Sequence, residues 1–187
     1  AMRSHAKAVN FGIVYGISAF SLAQDIGVFQ KEAKAYIDAY FAKYHGVQEY
    51  MTAIIEQAKR DGYVSTIFGR RRYLPELKVS NFNTRNFGER VARNMPIQGS
   101  AADIMKLAMV RVEQRLHAEG LSGKLILQVH DELIVEVPQA HAMQAARVLG
   151  EEMQHVIQNT LPEQQQAEFP VPLTADVSMG ESWYAAK

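Results

Sequence analysis

Two runs rich in Ile, Leu and Val, residues 124–129 and 133–137, flank the triplet His130-Asp131-Glu132. Branched and large apolar residues in short runs favour strands, and so short a polar gap turns the chain back on itself. Any fold for this chain must therefore hold an apolar hairpin with an imidazole and two carboxylates at its tip. Tight turns favour Asn-Gly or Asp-Gly, so this tip is chemically unusual. Its residues alone read two ways. It is a polar turn on a surface hairpin, or a carboxylate pair whose repulsion a divalent cation relieves.

Upstream the pattern is helical. Residues 3–15, 19–25 behind a Ser18 cap, 31–44 and 47–60 read as helices, with His45-Gly46 as a break and Asp61-Gly62 as a stop. Residues 63–67 and 72–74 read as short strands around Phe68-Gly69-Arg70-Arg71, and Pro75 ends the second. Residues 83–94 read as a polar helix, Pro96 as an interruption, and 100–117 as a long amphipathic helix. A helix over 140–159, a Gln-rich loop and a strand candidate at 171–177 complete the chain. Helices first, then a small sheet with flanking helices, predict an α+β fold with antiparallel pairing.

With 48% hydrophobic residues over 187 positions the chain can bury a real core. No apolar run reaches the roughly 18 residues that cross a membrane, and no signal-peptide pattern opens the sequence, so a cytoplasmic location is expected. The absence of cysteine excludes disulfides and thiolate metal sites and leaves carboxylates and His as ligands. A stand-alone DNA-binding domain is usually basic, whereas the net charge here is zero. The signs are nonetheless separated: Arg70, Arg71, Arg72 and Arg85, Arg90, Arg93 against Asp131, Glu132, Glu136 and Glu151, Glu152. Such a chain can hold DNA on one face and cations on another.

Arg3, Lys7, Phe11 and Tyr15 follow one another at intervals of four. On a helix each step drifts about 40°, so the row stays on one face over roughly 18 Å. Two cations occupy one end and two aromatics the other. A nucleoside triphosphate has the same polarity, a polyanionic tail followed by a sugar and a flat base. The spacing fits equally an amphipathic helix with exposed cations and core aromatics.

The wording around that row goes further. Arg3-Ser-His-Ala-Lys7-Ala-Val-Asn-Phe11-Gly-Ile-Val-Tyr15-Gly16 resembles the fingers motif of the DNA polymerase I family (family A), with His5 where a small residue is expected. Gln128-Val-His130-Asp131-Glu132 resembles the palm motif of the same family. The stretch from Arg90 through Asn94, Pro96 and Gln98 to Asp103 matches between them, as do Phe68-Gly-Arg70-Arg71-Arg72-Tyr-Leu-Pro75 and Gly180-Glu-Ser-Trp183. Phage-type RNA polymerases share the Arg, Lys and Tyr-Gly spacing. Phe11 and Glu132 favour the DNA enzymes.

This resemblance implies a mostly helical fingers subdomain over residues 1–90 and part of an antiparallel palm sheet with flanking helices over 91–187. It implies dNTP binding by Arg3, Lys7, Phe11 and Tyr15, with Lys7 also stabilising or protonating pyrophosphate. Gly12 and Gly16 would let backbone and template approach closely. Asp131 would bind catalytic Mg²⁺ in a two-metal scheme, assisted by Glu132. Arg90, Asn94, Gln98 and His130 would contact primer-template DNA, and Arg70 to Arg72 would lie near phosphates or in a solvated turn. Asp103 and Trp183 would serve structure. His5, His45, His117, His141 and His155 read as surface or satisfied core residues.

The family's other palm Asp motif, its thumb and any exonuclease domain find no counterpart in this sequence. A bacterial, nucleoid-associated polymerase fragment is therefore expected, inactive alone and self-associating through an exposed palm edge, with Ala1 a cut point or cloning remnant. Two rival readings stay open. A metal-dependent nuclease would need Asp131 and Glu132 but not the Arg3 row. A non-catalytic nucleic-acid module would need the arginines but not Asp131.

Overall fold

The structure, a computed structural model, describes residues 2–166 and 169–186, with backbone only for Met2, Ser4, His5, Gln164 and Gln165. Ala1 and the His5 side chain thus lie outside the described residues. The fold is α+β, with two small antiparallel hairpins among helices. The chain divides into two compact units, Ala1–Ser100 and Ala101–Lys187. Among the described residues no helix is long and apolar enough to cross a membrane.

The first unit opens with α1 (Met2–Val14) and α2 (Ala19–Ile26). Ser18 caps α2 by accepting the Ser21 N–H at 3.1 Å, and Gly27 closes it at φ 69°, a conformation that costs glycine little. Leu22, Ala23 and Ile26 bury against Ala33 of α3 (Gln30–Lys43), with Ala8, Val9 and Ile17 packed around them. This apolar contact fixes α1 beside α2 and α3 and leaves the opposite face of α1 to solvent.

The helix break expected at His45-Gly46 falls one residue earlier. Tyr44 alone separates α3 from α4 (His45–Asp61), at φ −117° and ψ 59°. Gly46 sits in the first turn of α4, where N–H groups lack intrahelical partners in any case. Strand β1 (Tyr63–Ser65) is shorter than the sequence suggests, β2 (Arg71–Tyr73) starts one residue earlier, and they pair Tyr63 with Tyr73. A 3-10 turn at Pro75–Lys78 follows. Ile55, Ala58, Val64, Leu74, Leu77 and Ala92 form the second core of this unit.

Pro96 does not interrupt its helix. A single helix, α5, runs Phe82–Ala118 through it and crosses from one unit to the other. Proline removes the N–H that would reach the Ala92 carbonyl, a cost of about 3 kcal/mol in a bare helix. Packing outweighs it: Ala92 is fully buried, and Val91 and Met95 pack on the second core. The Ser100 hydroxyl donates to the Pro96 carbonyl and accepts the Ile67 N–H at 3.0 Å, tying the turn after β1 to the helix.

The second unit holds β3 (Lys124–Val129) and β4 (Glu132–Glu136), with a bulge near Ile126. Val112, Leu116, Leu121 and Leu133 are buried here with Val148, Val156 and Ile157. The helix expected over 140–159 is split into α6 (Ala142–Gln154) and α7 (Val156–Thr160). His155 makes the break: its Nδ1 lies 3.0 Å from the Glu151 carbonyl, which also accepts the His155 N–H. The Gln-rich loop contains a short helix, α8 (Glu163–Gln166), held by the Gln166 side chain donating to the Leu161 carbonyl at 2.7 Å.

The strand expected at 171–177 is not a strand among the described residues. Pro172 lacks a ladder donor, and the segment docks on α6 instead. The Gln154 amide donates to the Ala175 carbonyl at 2.9 Å, and Val177 sits over Gly150. Trp183, expected to pack, keeps 43% of its surface exposed.

Candidate nucleotide row and carboxylate hairpin

In the first unit, α1 contains Arg3 and Lys7 and no acidic residue. Arg3, Lys7, Phe11 and Tyr15 are all exposed, while Ile13 on the other face is 2% exposed. The alternative of two core aromatics is thereby excluded for Phe11 and Tyr15. The row is ordered internally: the Lys7 ammonium lies 5.7 Å from the centre of the Phe11 ring, and the Phe11 and Tyr15 rings stack at 6.4 Å and 19°. Among the described residues neither Arg3 nor Lys7 has an ion-pair partner, so both cations are available to an anion.

Tyr15 follows the last residue of α1, and its hydroxyl accepts a hydrogen bond from the Gln98 amide at 2.8 Å. Gly16 adopts φ 73°. A Cβ there would lie 2.5 Å from an Arg93 guanidinium nitrogen, and one at Gly12 would lie 2.9 Å from the Ile17 side chain. Both glycines thus have reasons for being small within the chain itself.

The face of α5 opposite this junction carries Asn86, Glu89, Arg90 and Arg93 at helical spacing, and all four line a cavity of about 650 Å³ with Tyr15 and Ser18. Arg90 is exposed and lies 6.0 Å from the Phe87 ring. Gln98 is exposed too, whereas Asn94 is half-buried with its side-chain oxygen unpartnered. Arg93 is half-buried; burial lowers its pKa, Glu89 opposes that and Arg90 adds to it. Arg71 stacks on Tyr63 at 4.5 Å and Arg72 lies 3.8 Å from Glu76.

In the second unit, Val129 pairs with Glu132, so the hairpin loop is His130-Asp131 alone and Glu132 opens β4. Such two-residue loops require left-handed backbone, which glycine usually supplies. Here His130 supplies it at φ 54°, the one positive φ among the described non-glycine residues. The Gln128 amide donates to the His130 carbonyl at 2.7 Å and braces the loop. His130, Asp131 and Glu132 are exposed, and neither carboxylate has an ion-pair partner among the described residues. Two free carboxylates fit a corner of a Mg²⁺ site, because Mg²⁺ uses one or two carboxylates and completes its shell with phosphates and water. No group of three or more His, Cys, Asp or Glu arranged to hold a metal ion is found among the described residues.

Glu151 and Glu152, grouped with the cation-binding acids by sequence, do other work. Glu152 is 3% exposed and accepts from Arg111 at 3.1 Å, Arg115 at 3.2 Å and Asn159 at 3.0 Å. Arg115 also reaches Glu151 at 2.5 Å and Glu119 at 2.9 Å, and Arg147 joins Glu119 at 3.1 Å. Sequence reasoning missed this network because its partners are 37 and 41 positions apart. The signal was present in Arg111 and Arg115, one turn apart beside the apolar Val112 and Leu116. Asp103 is buried at 4%. Of the histidines, His45, His117 and His155 are exposed, while His141 is half-buried and accepts the Ser122 N–H at 3.4 Å.

Comparison with known proteins shows where this arrangement recurs. The chain is 49% identical to DNA polymerase I of Geobacillus stearothermophilus over 186 residues, 100% of this chain and 20% of that protein. It is 48% identical to DNA polymerase I of Bacillus subtilis over 187 residues, again 20% of that protein, and 47% identical to that of Streptococcus pneumoniae over 185. The chain therefore spans about a fifth of the length of these relatives. Among solved structures, the POL domain of Pol1 from M. smegmatis, in complex with DNA primer-template and dNTP, superposes with a TM-score of 0.88 at 43% identity. That match covers 98% of this chain and 31% of the other. Since the family model for DNA polymerase family A matches residues 1–185, the chain belongs to DNA polymerase family A.

Proposed function

We propose that this chain is the nucleotide-gripping and metal-holding part of a template-directed DNA polymerase. The observation that carries the reading is the acid-free face of α1, with two unpaired cations at one end and two stacked aromatics at the other. A complex of a family relative with primer-template and dNTP supports it. Residues 1–90 act as fingers and 91–187 as the carboxy-terminal part of the palm. That division falls within α5, as does the boundary between the compact units.

In this reading Arg3 grips the terminal phosphate of the dNTP through its planar fork. Lys7 lies nearer the bond that breaks and stabilises, or protonates, the departing pyrophosphate. Phe11 packs on the sugar and Tyr15 stands beside the nascent base pair. Asp131, with Glu132 beside it, holds Mg²⁺, which when bound lowers the pKa of the primer 3′-hydroxyl and offsets charge on the transferred phosphoryl group. His130 sits near the primer end. Arg90, Asn94 and Gln98 contact the duplex, partly in the minor groove, where every base pair presents an acceptor in a similar place. Pair shape is tested there without sequence being read.

The test grafts this chain in place of the corresponding segment of the B. subtilis relative, to which it is 48% identical. Single-nucleotide extension of a primer-template with Mg²⁺ is then measured. Templated addition is expected, and Lys7→Ala should lower kcat/KM for dNTP on the order of 100-fold or more, as loss of a transition-state cation does. A variant within threefold of the parent would exclude Lys7 from the triphosphate site.

The β3 strand leaves Ile126 and Leu127 about half exposed. Exposed apolar strands pair readily with further strands. We propose that at high concentration the chain alone self-associates through this hairpin, with Ile126→Lys restoring the monomer. Sedimentation velocity of both forms measures it, and a parent monomeric throughout would remove the proposal.

A further inference from the structure

The cavity of about 650 Å³ in the first unit shares a wall with a second of about 390 Å³, lined by Ile13, Ile37, Phe41 and Met51 together with the polar Gln48 and Glu56. Gly16, Ile17, Glu89 and Arg93 belong to both. Arg93 is the part of that wall that presses on the junction between α1 and α2, since a Cβ at Gly16 would meet its guanidinium at 2.5 Å.

This arginine is not half of a strong salt bridge. Its ion pair among the described residues is to Glu89 at 3.8 Å, beyond hydrogen-bond reach, and Glu89 also carries Lys59 at 3.4 Å. Nor is it a solvated surface cation, for its side chain is 22% exposed. A guanidinium with five donors is expensive to bury on such terms. The Arg93 guanidinium instead occupies the space where a Cβ on Gly16 would stand, beside the residue that follows Tyr15 and turns the chain at φ 73°. The far end of Tyr15 is held by Gln98, from the same helix α5. Helix α5 thus flanks Tyr15 on two sides, with Gln98 bonded to its hydroxyl and Arg93 beside the residue after it.

We propose that Arg93 is a positioning residue for Tyr15, its guanidinium filling the space between the junction and α5 so that, with Gln98, it sets where the ring stands. With the guanidinium removed, the two cavities join and the junction settles toward α5 or toward the second cavity. The inference rests on the reading that Tyr15 meets the nucleotide, and two arms separate them.

The first arm uses the chain alone with ¹³Cζ-labelled tyrosine, the Tyr15 signal being assigned by Tyr15→Phe. Arg93→Met keeps an unbranched apolar stem and removes the fork; Arg93→Lys returns a cation. The Tyr15 signal is expected to move in Arg93→Met and to return part of the way in Arg93→Lys. An unmoved signal in either folded variant, with the far-UV spectrum retained, overturns the inference. Should Arg93→Met fail to fold, Arg93→Lys alone decides it, because it lacks the planar fork and should still move the signal.

The second arm is primer extension in the grafted polymerase. Arg93→Met should raise KM for dNTP about fivefold while kcat stays within about twofold, the pattern of lost ground-state positioning. A raised KM with an unmoved Tyr15 signal overturns the Arg93 inference. A moved signal with an unchanged KM upholds the contact and overturns the placement of Tyr15 at the nucleotide.

Discussion

Asp131→Ala should lower the rate of single-nucleotide extension by the grafted polymerase on the order of a thousandfold, with little change in dNTP affinity. A cation held at a developing charge contributes several kcal/mol, and each 1.36 kcal/mol is tenfold in rate. Asp131 is the second residue of a two-residue loop whose shape is set by His130 at φ 54° and by the Gln128 brace, not by its own side chain. It is exposed and unpaired among the described residues, so its removal should cost the fold no more than about 0.5 kcal/mol. The lost rate therefore reports chemistry. Glu136→Ala, at the far end of β4, serves as the exposed-carboxylate control. Glu132→Ala should fall between the two. A loss smaller than tenfold for Asp131→Ala would mean that the metal is held elsewhere and would return the hairpin tip to a plain surface turn.

Local chemistry made much of the molecule legible from sequence. Ser18 and Gly62 punctuate the helices as the side chain of one and the lack of one in the other dictate. The apolar runs around His130-Asp131 gave the hairpin, and the fourfold spacing from Arg3 gave the face of α1. What misled were residues whose local preference packing overrides. Pro96 and Gly46 sit inside helices because the cost of each is small beside burial of Ala92, Ile55 and Ala58. Val171 and Val177 read as strand, yet a strand needs a ladder partner, and the Gln154 amide takes the Ala175 carbonyl first. Two of the features around the site, the Arg93 seat on Gly16 and the Glu152 network, are contacts between residues far apart in sequence. No local pattern records the first, and only the spacing of Arg111 and Arg115 hints at the second.

Glu152→Ala should lower the stability of the second unit by about 3 kcal/mol at pH 7. Removing one partner of a buried ion pair typically costs 3–5 kcal/mol because a charge is stranded. Here the stranded groups are Arg111 and Arg115, whose side chains are 37% and 26% exposed, so water reaches them and the low end applies. Glu152→Gln keeps the shape and one acceptor and should lose about half as much. Arg147→Ala, at a rim position 52% exposed, should cost less than about 1 kcal/mol. The pH dependence follows from the carboxyl group. Burial acts to raise its pKa, but the hydrogen bonds from Arg111, Asn159 and Arg115 outweigh burial and leave it below the usual value. A depressed folded pKa means that the folded state releases its proton more readily than the unfolded chain. The stabilisation is then complete above the unfolded carboxyl pKa, near 4.3, and is lost as pH falls through the lower folded value. The gap between parent and Glu152→Ala should accordingly be flat from pH 7 to about 5 and shrink below about 4. Trp183, the single tryptophan and a residue of this unit, gives a fluorescence reading of denaturant unfolding at each pH. A gap that stays constant to pH 3 would show that Glu152 stabilises by filling space rather than by its charge, and Arg115 would then be held by Glu119 and Glu151 alone.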